Sequence, residues 1–163
     1  MVHNQKSFLW QEGKLASIGV ENVAETGSIS VLLLEIDTMI EKNTALSLVL
    51  FTPPGATTVK KATISCNSNY SYLSLVSMIA PSPDWMVGIS NLNLYRNQNW
   101  LTDTTLNLFV YDAGTEDGDV FGYNNPATTP QQNIVRLEAA KATVLFNGNP
   151  TLKSIATIRL VKL

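Results

Sequence analysis

Apolar and polar residues alternate from Tyr70 to Ala80 (YSYLSLVSMIA), as they do in a strand with one buried face. The prolines of APSP, 80 to 83, end that strand because proline cannot donate to a ladder, so Asp84 falls just past a strand end. Residues 86 to 94 (MVGISNLNL) run back, the polar stretch 95 to 103 turns the chain, and 104 to 111 (TTLNLFVY) returns. Asp112 therefore emerges at the end where Asp84 lies, and Glu116 follows one Gly-containing turn later. Three carboxylates on one exposed rim repel each other unless something positive sits between them.

The flanking segments fill in the class. LASIGVENVAETG, 15 to 27, spaces its apolar residues roughly as a helix does and ends on Gly27. Val31 to Lys42 fits a second helix or a strand, and periodicity does not choose between them. Strands are expected over 45 to 51, stopped by ThrProProGly, and over Val59 to Cys66. Gly118 to Gln132 reads as irregular. The chain closes with a strand over 141 to 146, an Asn147-Gly148 turn and a last strand from Ser154 to Leu163. Short strands separated by turn signals predict one all-β domain over residues 1–163, an antiparallel β-sandwich of C2-like type with one or two peripheral helices.

The strings APSPDW (80 to 85), the VGIS and LNL runs continuing to Trp100, and YDAGTEDG (111 to 118) resemble the central signature of the spondin domain, the module of F-spondin and mindin. HNQKSFLWQEGKLASIGVENVAETGS near the start, NNPATTPQQNI and the closing SIATIRLVKL extend the resemblance over nearly the whole chain. It implies a calcium-binding β-sandwich with Ca2+ on Asp84, Asp112 and Glu116. Animal members usually carry Asp at the third position, so Asp117 and Asp119 stand as substitutes for Glu116. Those members also place a cysteine where this chain has Tyr95, so that disulfide is missing.

Charge and composition narrow the partners. At a net charge of -2 with no Lys/Arg cluster, the chain lacks the basic stripe that nucleic-acid binding requires. No apolar run reaches the roughly 20 residues of a membrane span; the best, SISVLLLEIDTMI, is interrupted by Glu35 and Asp37. The N-terminus has no secretory signal pattern, which leaves a mature secreted chain or a cytosolic one. The extracellular habit of the family favours the secreted form. Cys66 is the one cysteine, so no internal disulfide is possible; it is a small buried thiol or an intermolecular bridge. Asn69-Tyr70-Ser71 is a formal glycosylation sequon.

Catalytic chemistry is thinly supplied. The single histidine, His3, is expected in a mobile terminus, which argues against Ser-His-Asp, Cys-His and His-rich zinc catalysis. The loop AGTEDGD lacks the lysine of a P-loop and the spacing of an EF-hand. All-oxygen hard ligands select calcium or magnesium, and mixed backbone and carboxylate donors suit calcium. Such an ion either pins two loops or keeps open positions for a ligand. The expected function is a calcium-dependent lectin whose open positions take the hydroxyls of a terminal hexose, galactose first, in a homodimer that gains avidity. The alternative is an adhesion module in which a partner's carboxylate completes the shell. Of the aromatic residues near the signature, Trp85 is expected in the core, and Tyr95 and Trp100 at the opposite end of the strands.

Overall fold

The computed structural model describes residues 1–50, 59–137, 145 and 154–163. Its elements run β1 (Val2–His3), α1 (Ile18–Thr26), α2 (Ser30–Glu41), β2 (Ala45–Ser47), β3 (Tyr72–Met78), β4 (Trp85–Asn93), β5 (Tyr95–Arg96), β6 (Asn99–Trp100), β7 (Asp103–Asp112), β8 (Val135–Arg136) and β9 (Ala156–Val161). The main sheet has the order β2-β1-β3-β4-β7-β8, β9 pairs with the first part of β7, and β5 with β6 forms a separate hairpin. Every pairing is antiparallel. This is the all-β architecture of the sandwich class, with two peripheral helices.

The period-2 pattern separates two apolar layers. On β4, Met86 joins Trp10, Val20, Val23, Leu32, Ile36 and Ile134 in the larger core, while its neighbour Trp85 packs with Val110 and Leu137 in the other. Trp10 anchors the helical layer by donating its indole N–H to the Leu75 carbonyl at 3.0 Å. Its ring crosses β4 at Gly88, where a Cβ would lie 2.2 Å from the Leu75 carbonyl oxygen and 3.2 Å from the indole. Only glycine permits that approach.

The ambiguous segment 31 to 42 is a helix because its buried residues, Leu32 and Ile36, are four apart and face one core. The Glu35 that interrupts its apolar run also ties the two helices together. It accepts the Ser17 hydroxyl at 2.7 Å and the Gly19 N–H at 2.8 Å, while Ser17 caps α1 by accepting from the Val20 N–H at 3.2 Å. Helix α1 thus starts at its cap rather than at the first apolar residue.

Three expectations change. Val59 to Cys66 is not a strand: it is largely exposed, Val59 at 83 %, and among the described residues no strand lies beside it for its β-forming residues to pair with. The strand expected over 45 to 51 is observed only as β2, and its last residue, with 52 to 58, lies outside the described residues. The expected strand over 141 to 146 and the Asn147-Gly148 turn fall outside them too, apart from Leu145, which packs on the Trp85 layer.

The third concerns His3. It is not mobile but fully buried in β1, with Nδ1 2.8 Å from the Asn4 carbonyl and Nε2 2.8 Å from the Ser74 hydroxyl. A carbonyl only accepts, so Nδ1 carries the proton and Ser74 donates to Nε2. The Ser74 oxygen in turn accepts the Asn91 N–H at 3.0 Å. Asn91 is left-handed, with φ 54°, at the register shift between β3 and β4. This histidine and serine touch, but both are 0 % exposed, so no substrate reaches them and their role is to fix the bulge.

Candidate metal and recognition site

The turn between β3 and β4 is held by its own polar groups. Ile79 donates its N–H to the Trp85 carbonyl at 2.9 Å, Ser82 donates its hydroxyl to the Ile79 carbonyl, and the Trp85 N–H returns to the Ser82 oxygen at 3.3 Å. Asp84 is thereby locked at the start of β4. Across the sheet Trp85 pairs with Asp112, and the Ala113 N–H donates to the Asp84 carbonyl at 3.2 Å, so the two signature aspartates are neighbours at one strand end. The tracing from sequence reaches the same placement.

Beyond β7 the chain wraps around the Asp84 carboxylate. Its Oδ2 accepts the N–H of Thr115 at 2.7 Å, the N–H of Glu116 at 3.2 Å and the Thr115 hydroxyl at 3.3 Å. Asp112 accepts the Gly114 N–H at 3.0 Å. Gly114 makes the wrap possible: its φ is +75° and a Cβ would lie 2.4 Å from the Gln132 carbonyl oxygen. The loop is closed on its far side by the Gln132 N–H donating to Gly114, Thr128 N–H to Thr115, and Asp117 N–H to Pro126, each at 2.8 Å.

The rim is not exposed as expected. Asp84 is 0 % and Asp112 7 % exposed, because the 113–116 turn folds over them. Glu116 is half-buried beside them. Burial raises its carboxyl above the ordinary range, the charge of Glu25 adds to this, a hydrogen bond with Asn125 works the other way, and Asp84 raises it further. Glu25, in the last turn of α1, is the acid that sequence reasoning missed. The helix was legible; its approach to a loop some ninety residues later was not. Of the two substitutes, Asp117 is exposed and accepts from the Thr128 hydroxyl, and Asp119 is exposed.

The donor chemistry fits a hard cation: carboxylate and carbonyl oxygens with local excess negative charge. Among the described residues, no group of three or more His, Cys, Asp or Glu side chains is gathered to hold a metal. The residues able to hold one are Asp84 and Asp112 from the strand ends, with neighbouring backbone carbonyls and Glu116 from the loop. Beyond the acids the same loop carries exposed apolar side chains, Val120 at 55 %, Phe121 at 41 % and Tyr123 at 65 %. Phe121 rests edge-on against Trp85, with ring centroids 5.7 Å apart. Trp85 itself is fully buried, as expected, and offers no surface to a ligand. Tyr95 and Trp100 lie on the β5–β6 hairpin at the far end of β4. Cys66 is a free, half-buried thiol, and burial pushes it up. No helix among the described residues is long and apolar enough to cross a membrane.

Comparison with known proteins identifies the family of the chain. Spondin-2 of Rattus norvegicus is 32 % identical over 163 residues, covering 98 % of this chain and 49 % of its own length. Spondin-2 of Homo sapiens is 32 % identical over 168 residues, covering 99 % and 51 %. Spondin-1 of Gallus gallus is 29 % identical over 140 residues, covering 81 % of this chain and 17 % of its own length. The chain thus spans about half of the Spondin-2 proteins and a smaller part of Spondin-1. The family model described as Spondin_N matches residues 1–148, and the chain belongs to that family.

Proposed function

We propose that this protein is a calcium-dependent carbohydrate-binding domain whose ion site lies between the Asp84 turn and the loop after Asp112. The observation that carries the reading is the buried Asp84–Asp112 pair with the half-buried Glu116 beside it, next to a loop that exposes Phe121 and Tyr123. When bound, calcium would supply a positive centre that accepts sugar hydroxyls in place of water. Asp84 and Asp112 would hold it and Glu116 would add a third charge. Because Oδ2 of Asp84 is engaged by the Thr115 and Glu116 amides, the same carboxylate also sets the position of the loop. Tyr123 would carry the apolar face of a hexose such as galactose. A calcium site of modest affinity is loaded outside the cell, so the reading places the protein in the secreted compartment.

The test is a glycan array and calorimetry, each run with calcium and with chelator. Galactose-type binding that disappears in chelator and in Asp112→Ala supports the proposal. Calcium binding with no glycan recognised would favour the second reading, adhesion to a protein whose carboxylate completes the shell. The exposed Val120, Phe121 and Tyr123 give that reading its footing.

A further inference from the structure

At the end of β4 remote from the acids, Tyr95 and Trp100 face each other across the β5–β6 hairpin with ring centroids 4.8 Å apart and planes tilted by 41°. Both rings are half-exposed. The turn between them is built from Asn97 (φ 49°) and Gln98 (φ 61°), the double left-handed form that closes a two-residue hairpin. Alternation along the strands sends Arg96 and Asn99 to the opposite face, where Arg96 donates to the Asn93 carbonyl and Asn99 to the Asn97 carbonyl. Asn97 and Gln98, both exposed, form the tip of the hairpin next to this ring pair.

We propose that this hairpin is a second saccharide-binding site, independent of calcium, in which the apolar face of a pyranose stacks on Trp100 and Tyr95 while the Asn97 and Gln98 amides bind its hydroxyls. A tilted ring pair offers a shallow apolar trough, and planar amides donate and accept side by side as vicinal hydroxyls require. The hairpin itself carries one charged side chain, Arg96; at its base Asp103 is paired with Arg159 at 2.6 Å and the Lys162 N–H donates to the Thr102 carbonyl, so few unpaired charges are at hand and a neutral ligand suits the surface. Arg96 and Lys162 alone cannot supply the several phosphate contacts a nucleic acid needs. The inference does not rest on the calcium reading. Nine residues of β4 separate this hairpin from Asp84, about 30 Å of strand, so one chain would present two sites on opposite ends. Such a chain could cross-link glycans without dimerising.

Of the three tryptophans, Trp10 is 3 % exposed and Trp85 0 %, which leaves Trp100 as the one an aqueous quencher reaches. Acrylamide quenching of the full chain in chelator, titrated with lactose and with cellotetraose, therefore reports on the hairpin. We expect at least one of these sugars to lower the quenching constant by about half. In calorimetry, Trp100→Phe should weaken its binding a few-fold and Trp100→Ala at least about tenfold, the loss of one stacked aromatic contact. Gln98→Ala, which leaves both rings and the backbone turn in place, should weaken it as well. Absence of protection by either sugar in the wild-type protein overturns the proposal, as does undiminished binding by Trp100→Ala. Calcium-dependent glycan binding retained in Trp100→Ala would separate this site from the acidic one, and its loss in Asp112→Ala alone would leave the hairpin site standing.

Discussion

Replacing Asp84 with alanine removes the oxygen that accepts the Thr115 N–H at 2.7 Å, the Glu116 N–H at 3.2 Å and the Thr115 hydroxyl at 3.3 Å. Thr115 is 4 % exposed, so water does not take over as its acceptor. Each stranded buried donor costs about 1 to 3 kcal/mol. Release of a charge held out of water offsets part of that sum. The expected net for Asp84→Ala in chelator is about 3 kcal/mol. For a domain of this size that lowers the Tm by roughly 6 to 12 °C. Asp84→Asn keeps an acceptor of the same shape but turns charge-assisted bonds into neutral ones, so it should cost about 1 kcal/mol. The assay is urea and thermal unfolding in chelator, repeated in millimolar calcium. Wild type should gain stability by mass action, and neither variant should. An Asp84→Ala protein within about 0.5 kcal/mol of wild type in chelator would show that the carboxylate does not hold the 113–116 turn. Full calcium stabilisation of Asp84→Asn would remove Asp84 from the ion's shell.

Gly88→Ala should destabilise by about 2 kcal/mol or more, because the new Cβ meets a backbone oxygen that cannot swing away; urea unfolding that finds less than about half of this refutes the close packing of Trp10 on β4. Glu116 has its carboxyl raised by burial and by Glu25, so its contribution to stability is present below the ordinary value of 4.5 and is lost as pH rises through the raised one. Glu116→Gln should therefore be at least as stable as wild type near neutral pH in chelator and should gain less from calcium; a less stable variant reverses the sign. For His3 the folded value lies below 6.5, mainly because burial penalises the imidazolium, so its contribution is present above 6.5 and lost as pH falls below it. His3→Gln, whose amide can accept from Ser74 and donate to the Asn4 carbonyl, should flatten the loss of Tm between about pH 6.5 and 5, and an unchanged slope would assign that loss to other groups.

Local pattern was enough to determine a good deal of this protein. Alternation over 70 to 80 and 104 to 111, with prolines between and around them, located β3 and β7 within a few residues and put Asp84 and Asp112 at one strand end. Those inferences depend only on the two-residue period of a strand and on turn chemistry, which are properties of neighbouring residues. The spondin signature added the family and its candidate ligands. What only the tertiary structure decided is whatever depends on distant segments meeting. Segment 59 to 66 had strand-like residues but no partner strand among the described residues, whereas 31 to 42 became a helix because Leu32 and Ile36 found a core. His3 looked terminal and loose until Ser74 and Asn91 closed around it. The aspartates looked exposed until the turn at Gly114 folded amides over them, and Glu25 raises the neighbouring Glu116 carboxyl from a helix far earlier in the chain. Burial and electrostatics are sums over everything nearby in space, and the order of residues along the chain does not carry that sum.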